Sequence, residues 1–257
     1  YPQRAPAGTC EAAGVPSVEW GHEIAEVYDA TYAHLATSEV VGPMVDLLAE
    51  LAGEGRALEL AVGTGRVALA LSALGVDVSG IELSSHMLEQ MRAKPGADSV
   101  HAVLGDMITT RVPGEFTLVY LVANTIMNVT TQDEQIAVFE NAARHLVAGG
   151  RFVIELIVPA LRDVPRGEIG RVFTMEPDHV GIETFDDTVE QIASSHHWMQ
   201  VDGRLVQHSA PYRYVWPSEL DLMARLAGLR LRNRWGGWHR EPFTPDSAKH
   251  VSVFEKH

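Results

Sequence analysis

Three acidic residues recur at the ends of apolar stretches around one glycine-rich turn, and this pattern carries most of the chemical information in the chain. Glu59 lies in Glu59-Leu60-Ala61-Val62-Gly63-Thr64-Gly65, Glu82 falls 17 residues past Gly65, and Asp106 follows in Leu104-Gly105-Asp106-Met107. Glycines at a tight turn let a ligand approach the backbone where any side chain would block it. Carboxylates at neighbouring strand ends can accept hydrogen bonds from hydroxyl or amino groups and can face a cation.

Two ligand types suit such a turn. Gly63-Thr64-Gly65-Arg66-Val67-Ala68 can be read as G-x-G-x-x-A, a dinucleotide signature, with Glu82 placed to hold a ribose diol. A pyrophosphate, however, wants a helix N-terminus free of carboxylates. On the sequence, Glu59 at the end of the first strand would repel it. S-adenosylmethionine carries a sulfonium and an ammonium, for which a carboxylate there is favourable, directly or through water. Asp106 is then placed to accept from an adenine amino group, with Met107 against the ring.

These residues need a frame that brings successive strand ends together. Helical spacing of Val40, Val41, Met44, Val45, Leu47, Leu48 and Leu51 predicts a helix over 39–53. Strands follow at 57–62, 76–81, 100–104, 116–122 and 151–158. Helices alternate with them at 66–74, 84–92 (Ser84 as N-cap) and 132–146, the last ended by Gly149 and Gly150. Such alternation with buried-type strands means a mostly parallel, Rossmann-like α/β sheet with helices on both faces, binding ligands at the carboxyl ends of its strands. The rhythm then changes: 171–175, 181–187, 191–201 and 204–215 read as antiparallel strands, with Asp202-Gly203 as a hairpin signal. A helix over 219–226, opened by Trp216-Pro217-Ser218 and stopped by Gly228, precedes closing strands at 229–235 and 250–255. The expected organisation is a tail at 1–18, a cofactor-binding core at 19–158, an antiparallel substrate lid at 159–215 and a C-terminal part at 216–257 that completes the core sheet.

In this order and spacing, residues 57–158 resemble a class I S-adenosylmethionine-dependent methyltransferase. The motifs are the glycine turn, Glu82, Gly105-Asp106-Met107, and Leu146-Val147-Ala148-Gly149-Gly150 before the fifth strand. The resemblance implies that Gly63 and Gly65 approach the methionine part, Glu82 binds both ribose hydroxyls, Leu83 and Met87 pack on adenine, and Asp106 binds its amino group. Val122 and Asn124, after the fourth strand, also fall where the family meets its cofactor. Ala61 departs from the pattern, since many members have glycine there; the expectation is that alanine still fits. Tyr28-Asp29-Ala30-Thr31-Tyr32 resembles a Tyr-Asp-x-x-Tyr element of small-molecule members, so Tyr28 or Tyr32 can close over the methionine end. The insertion resembles, in layout alone, the lid of sugar-amine and natural-product methyltransferases.

The acceptor side is less legible. Methyl transfer needs alignment, a dry site and a neutral nucleophile, and a hydroxyl acceptor benefits from a general base. Candidate bases are His239, His197 and Glu155; candidate substrate contacts are Asn128, Tyr214 and Trp238, the last in Trp235-Gly236-Gly237-Trp238-His239. Arg213 and Trp216 are explained by strand alternation alone. Despite twelve histidines, no ligand spacing for a metal appears, and His196 and His197 must point to opposite faces of one strand.

A net charge of −14 argues against nucleic acid and anionic membranes as partners, and no apolar run approaches the roughly 18 residues that span a bilayer. The single cysteine, Cys10, forms no disulfide within the chain, and the tail has neither the basic start nor the apolar stretch of a signal peptide; both fit a cytoplasmic protein. The expected partner is a small-molecule substrate, and the insertion's open strands would allow a homodimer. Two rivals stand beside this reading. An NAD-dependent oxidoreductase is disfavoured by Glu59 and by the lack of a clear Tyr/Lys pair. A non-catalytic scaffold is disfavoured by the intact acids and glycines.

Overall fold

The computed structural model describes residues 28–29, 32–201 and 203–257. The tail at 1–18, with Cys10, and Ala30, Thr31 and Asp202 lie outside the described residues. In the first half, strands β1 (Ala57–Leu60), β2 (Val78–Glu82), β3 (Val100–Leu104) and β4 (Phe116–Leu121) alternate with helices α1 (Ser38–Ala52, preceding β1), α2 (Ala68–Ala73), α3 (Ser85–Arg92) and α4 (Gln132–His145, following β4). Then come β5 (Leu146–Ile157), the antiparallel run β6 (Gly170–Glu176), β7 (His179–Asp187), β8 (Ile192–Val201) and β9 (Arg204–Arg213), helix α5 (Pro217–Leu226), β10 (Leu229–Trp235) and β11 (Lys249–Lys256).

Seven strands form one sheet in the order β10-β11-β5-β4-β1-β2-β3. Pairing is parallel from β5 across to β3, while β11 runs antiparallel to both β5 and β10. The chain winds outward from β1 to β3 and then crosses back to β4 on the other side of β1. The reversal of strand order at β1 and β4 opens the crevice where such sheets take ligands. All four residues of β1 are buried, as a central parallel strand requires. Alternate residues feed two cores. Val119 and Leu121 pack with Phe139, Phe152 and Leu220 on one face, while Leu118 and Tyr120 pack with Leu48, Leu71 and Leu88 on the other.

Local signals explain most boundaries. Ser84 caps α3, its hydroxyl accepting from the Met87 N–H at 3.4 Å. Thr131 caps α4 by accepting from the Glu134 N–H, with Asp133 and Glu134 in the first turn and Arg144 and His145 in the last, as the helix dipole favours. One expectation needs correction. Gly149 and Gly150 do not end α4, which stops at His145; they lie inside β5. Pairing jumps from Phe116↔Leu146 to Leu118↔Arg151, so these residues form an irregularity in the strand, and Gly149 takes φ +75° there.

The second sheet, β6-β7-β8-β9, is a pure antiparallel meander. Val201 and Arg204 are direct partners across its last turn. A buried polar knot fixes its stem to the core. Arg213, 5% exposed, donates to Gln135 Oε1 at 2.6 Å and to Glu219 Oε1 at 2.7 Å. Gln135 in turn donates to the Ile126 and Val129 carbonyls, beside the turn that follows β4. Arg213 therefore has a structural role that strand alternation did not reveal.

Candidate active site

One cavity of about 900 Å³ lies between the carboxyl ends of β1 to β4 and the inner face of the antiparallel sheet. Its size falls in the range of small-molecule sites. Ala61, Gly63, Glu82, Leu83 and Met87 line it from the first two strand ends. Gly105, Asp106 and Met107 line it after β3, and Asn124 and Asn128 after β4. Tyr28 and Tyr32 reach it from the N-terminal side, their ring centroids 4.8 Å apart. Trp238 and His239 reach it from the segment after β10, His197 from β8.

Glu82 is 5% exposed and its carboxylate is held by backbone. Oε2 accepts from the Gly63 N–H at 2.8 Å and Oε1 from the Ser84 N–H at 2.9 Å. Burial raises its pKa, opposed by those N–H bonds. Each oxygen keeps a lone pair for a further donor, the pattern that two vicinal hydroxyls would satisfy. Gly63 has φ +59°, and a Cβ there would meet nothing within 4 Å, so open space lies beside the backbone. Asp106 accepts from the Ile108 N–H at 2.8 Å through Oδ1, which fixes its direction at the cavity wall. The residues present therefore fit the ribose, adenine and amino-acid parts of S-adenosylmethionine.

Four sequence-predicted site residues do not reach this cavity. Glu59 is fully enclosed behind the glycine turn, accepts from the Tyr120 hydroxyl at 3.0 Å, and is pushed by burial up to about 8. Burial therefore favours its neutral form, which weakens the charge argument against a pyrophosphate drawn from Glu59. Gly65 faces α3 instead of the ligand: an added Cβ would lie 2.5 Å from Met91 Cγ. Val122 is core, packed with Val62 and Leu118 in the cluster under α1 and α2. Tyr214 is 2% exposed with its ring against Phe185, because β9 ends at Arg213 and the chain turns into the core. Its near neighbour Tyr212 lines the cavity instead. Ala61 takes φ +56°, a left-handed conformation, so alanine fits at a backbone cost instead of without one.

The candidate bases differ in setting. Glu155 lines the cavity but is committed: Oε2 accepts from the Ala123 N–H at 3.1 Å and Oε1 from Trp238 Nε1 at 2.8 Å. His197 Nδ1 meets His179 Nε2 at 2.9 Å. Burial, then the neighbouring His179, His208 and His196, push His197 down to about 4, so it stays neutral and holds a proton poorly. His196 points away to Ser209 Oγ, as strand geometry requires. His239 is exposed at the rim. Among the described residues, no cluster of three or more His, Cys, Asp or Glu could hold a metal.

Sequence reasoning missed the lid's own polar set. Glu183, 7% exposed, accepts from Arg171 Nε at 2.9 Å and from the Tyr212 hydroxyl, and all three line the cavity. Burial and Glu183 hold the Tyr212 phenol well above its usual range, so it is a permanent donor. Only cross-strand register joins these residues, and no short motif carries that. Arg66 was also missed, although the glycine motif runs into it. It lines the cavity and lowers the proton affinity of Glu59 and Tyr28 through its charge.

The methyltransferase domain family profile matches residues 57–150. The CcbJ methyltransferase of Streptomyces caelestis is 33% identical, with a TM-score of 0.83 over 94% of this chain and 99% of that one. A cypemycin N-terminal methyltransferase from a Streptomyces species is 29% identical over 242 residues, covering 90% of this chain and 98% of its own length. The amino pentose methyltransferase CalS10 of Micromonospora echinaspora, solved with S-adenosylmethionine bound, shares the fold at TM-score 0.69 and 21% identity, over 90% of this chain and 97% of that one.

Proposed function

This chain belongs to the S-adenosylmethionine-dependent methyltransferases, and from that premise we propose that it methylates an amine nitrogen of a small natural product in the cytoplasm. One observation carries the reading: a single cavity joins the strand-end acids of the core to the polar set of the lid. The Streptomyces relative named for methylation at an N-terminus favours nitrogen over oxygen. The net charge of −14 favours a small acceptor over nucleic acid. Among the described residues no helix is long and apolar enough to cross a membrane.

Bound S-adenosylmethionine supplies a methyl group on a sulfonium, already a good leaving group. The chain's task is placement and exclusion of water. Glu82 would accept from both ribose hydroxyls, Asp106 from the adenine amino group, and Arg66 would face the carboxylate, with Tyr28 and Tyr32 beside it. On the lid side, Glu183, held by Arg171 and by the Tyr212 hydroxyl, presents a carboxylate acceptor to the incoming molecule. An amine needs to arrive unprotonated. Once nitrogen has taken the methyl group, the ammonium formed releases a proton, which His239 at the exposed rim is placed to pass to water, whereas the neutral His197 shapes the wall.

The test is calorimetric titration with S-adenosylhomocysteine followed by transfer of labelled methyl from S-adenosylmethionine to a panel of amines and alcohols. Binding that Glu82→Ala removes, with label on nitrogen, supports the proposal. Absence of binding, or label on oxygen alone, overturns it.

A further inference from the structure

Asp29 and Lys94 lie far apart in sequence, and both meet at Thr64 in the middle of the glycine turn. Asp29 Oδ1 accepts from Thr64 Oγ1 at 2.6 Å, and Oδ2 pairs with Lys94 Nζ at 2.6 Å. Lys94 Nζ also donates to the Thr64 carbonyl at 2.8 Å. Thr64 itself is 2% exposed. Three parts of the chain are thereby tied at one point: the segment bearing Tyr28, the turn bearing Gly63, and the residues just past α3.

The described residues of that segment are only partly packed into the core. The short helical turn Ala33–Leu35, directly after Tyr32, buries no residue. Tyr28 and Tyr32 are only half-buried, with the Tyr32 N–H donating to the Tyr28 carbonyl at 2.9 Å. Polar ties of its described residues include the Asp29 contacts and Arg66 Nη1, which donates to the Leu35 carbonyl at 3.0 Å. A small cavity of about 230 Å³, lined by Tyr28, Asp29, Tyr32, Arg66 and Lys94 among others, runs along this junction.

We infer that Asp29 and Lys94 are positioning residues: their ion pair clamps Tyr28 and Tyr32 to the glycine turn and so sets how long the cofactor is retained. The inference rests on the reading that the main cavity holds S-adenosylmethionine. The side chains are 48% and 30% exposed, so the pair is open to screening by salt. A pair this exposed contributes little to global stability. Its effect is local, on the segment that carries Tyr28 and Tyr32.

The probe is S-adenosylhomocysteine, a zwitterion without net charge. Its dissociation is followed by stopped flow at about 50 and 500 mM salt, where the screening length falls from roughly 14 to 4 Å. Wild type is compared with Asp29→Asn, Lys94→Gln and the double variant, and the melting temperature of each protein is recorded without ligand. Each single change is expected to raise the dissociation rate about tenfold, as loss of a charged hydrogen bond would. The double variant should do no more than either single one, since both remove the same contact. Salt should accelerate release from wild type and not from the variants. Melting temperatures should stay together, because a purely structural pair would move them and leave dissociation untouched. Unchanged dissociation in both single variants, or additive effects with the salt response intact, overturns the inference. If one variant does not fold, the other variant and the wild-type salt response decide. Failure of wild type to bind the probe would instead overturn the cofactor reading beneath it.

Discussion

The parallel sheet and the antiparallel lid build the two halves of one cavity by different means. In the sheet, Glu82 closes β2 while Gly63 and Asp106 follow the ends of β1 and β3, and consecutive strands lie side by side. Residues that cooperate are therefore regularly spaced along the chain. In the lid, Arg171, Glu183 and Tyr212 come from three strands, two of them separated by β8, and meet only because of register. On the proposed function, cofactor binding uses a frame set by strand order, while acceptor binding uses a surface that can be rewritten without disturbing that frame. The boundary between them is firm: the Arg213–Gln135–Glu219 knot ties the lid's stem to the turn beside Asn124 and Asn128.

The sharpest way to break this division is to damage one half and read the other. Glu82→Ala should weaken S-adenosylhomocysteine binding about a hundredfold, since two charge-assisted bonds to the ligand are lost; calorimetry measures this. If the lid also loosened, seen as faster hydrogen exchange in β7 and β8, the halves would not be independent. Glu183→Gln and Tyr212→Phe should lower kcat/KM for the acceptor about tenfold or more. Cofactor affinity in these variants should shift less than about twofold, within the additivity expected of separated sites.

Acid separates the halves in another way. His250 is fully buried on β11, and burial, then the Arg234 charge, push it down to about 3. Its folded-state pKa lies below the unfolded value, so the unfolded chain takes up the proton first. Its contribution to stability is complete above about 6.5 and is lost as pH falls from there towards about 3. Denaturant midpoints at pH 7.5 and 5 should show this loss, and His250→Gln should flatten it. His197 shifts in the same direction, to about 4, but sits in the lid. Its protonation should loosen the lid, visible by hydrogen exchange, before the core unfolds.

The smallest effect is at the turn itself. Ala61→Gly removes left-handed strain of about 1–2 kcal/mol but frees the unfolded chain by about 0.4–1 kcal/mol. A net gain of about 0 to 1.6 kcal/mol follows, or a rise in Tm of at most about 6 °C for a chain of this size. A fall would show that Ala61 is relaxed in place.

Most elements of the sheet, their order and the strand-end positions of Glu82 and Asp106 were legible because they depend on local periodicity and turn chemistry. Boundaries slipped where a neighbour decided them. The Gly149 and Gly150 pair signals a stop, yet pairing with β4 draws it into β5 as an irregularity. Glu59 is the instructive residue of the site. Its place in the motif is readable, but its charge is not, because burial beside Tyr120 pushes its pKa up to about 8. Gly65 and Tyr214 erred for a related reason: which side of a turn meets ligand and which meets Met91 or Phe185 is settled by packing.

The sequence alone determined the family, the cofactor and the strand-end positions of the glycine turn, Glu82 and Asp106, since those depend on residue type and spacing along one chain direction. Tertiary structure decided which side chains line the cavity, how far burial disfavours the charge of Glu59, and how Asp29 meets Lys94 and Glu183 meets Tyr212. Those outcomes follow from desolvation and from contacts between distant segments, and neither quantity exists until the chain has folded.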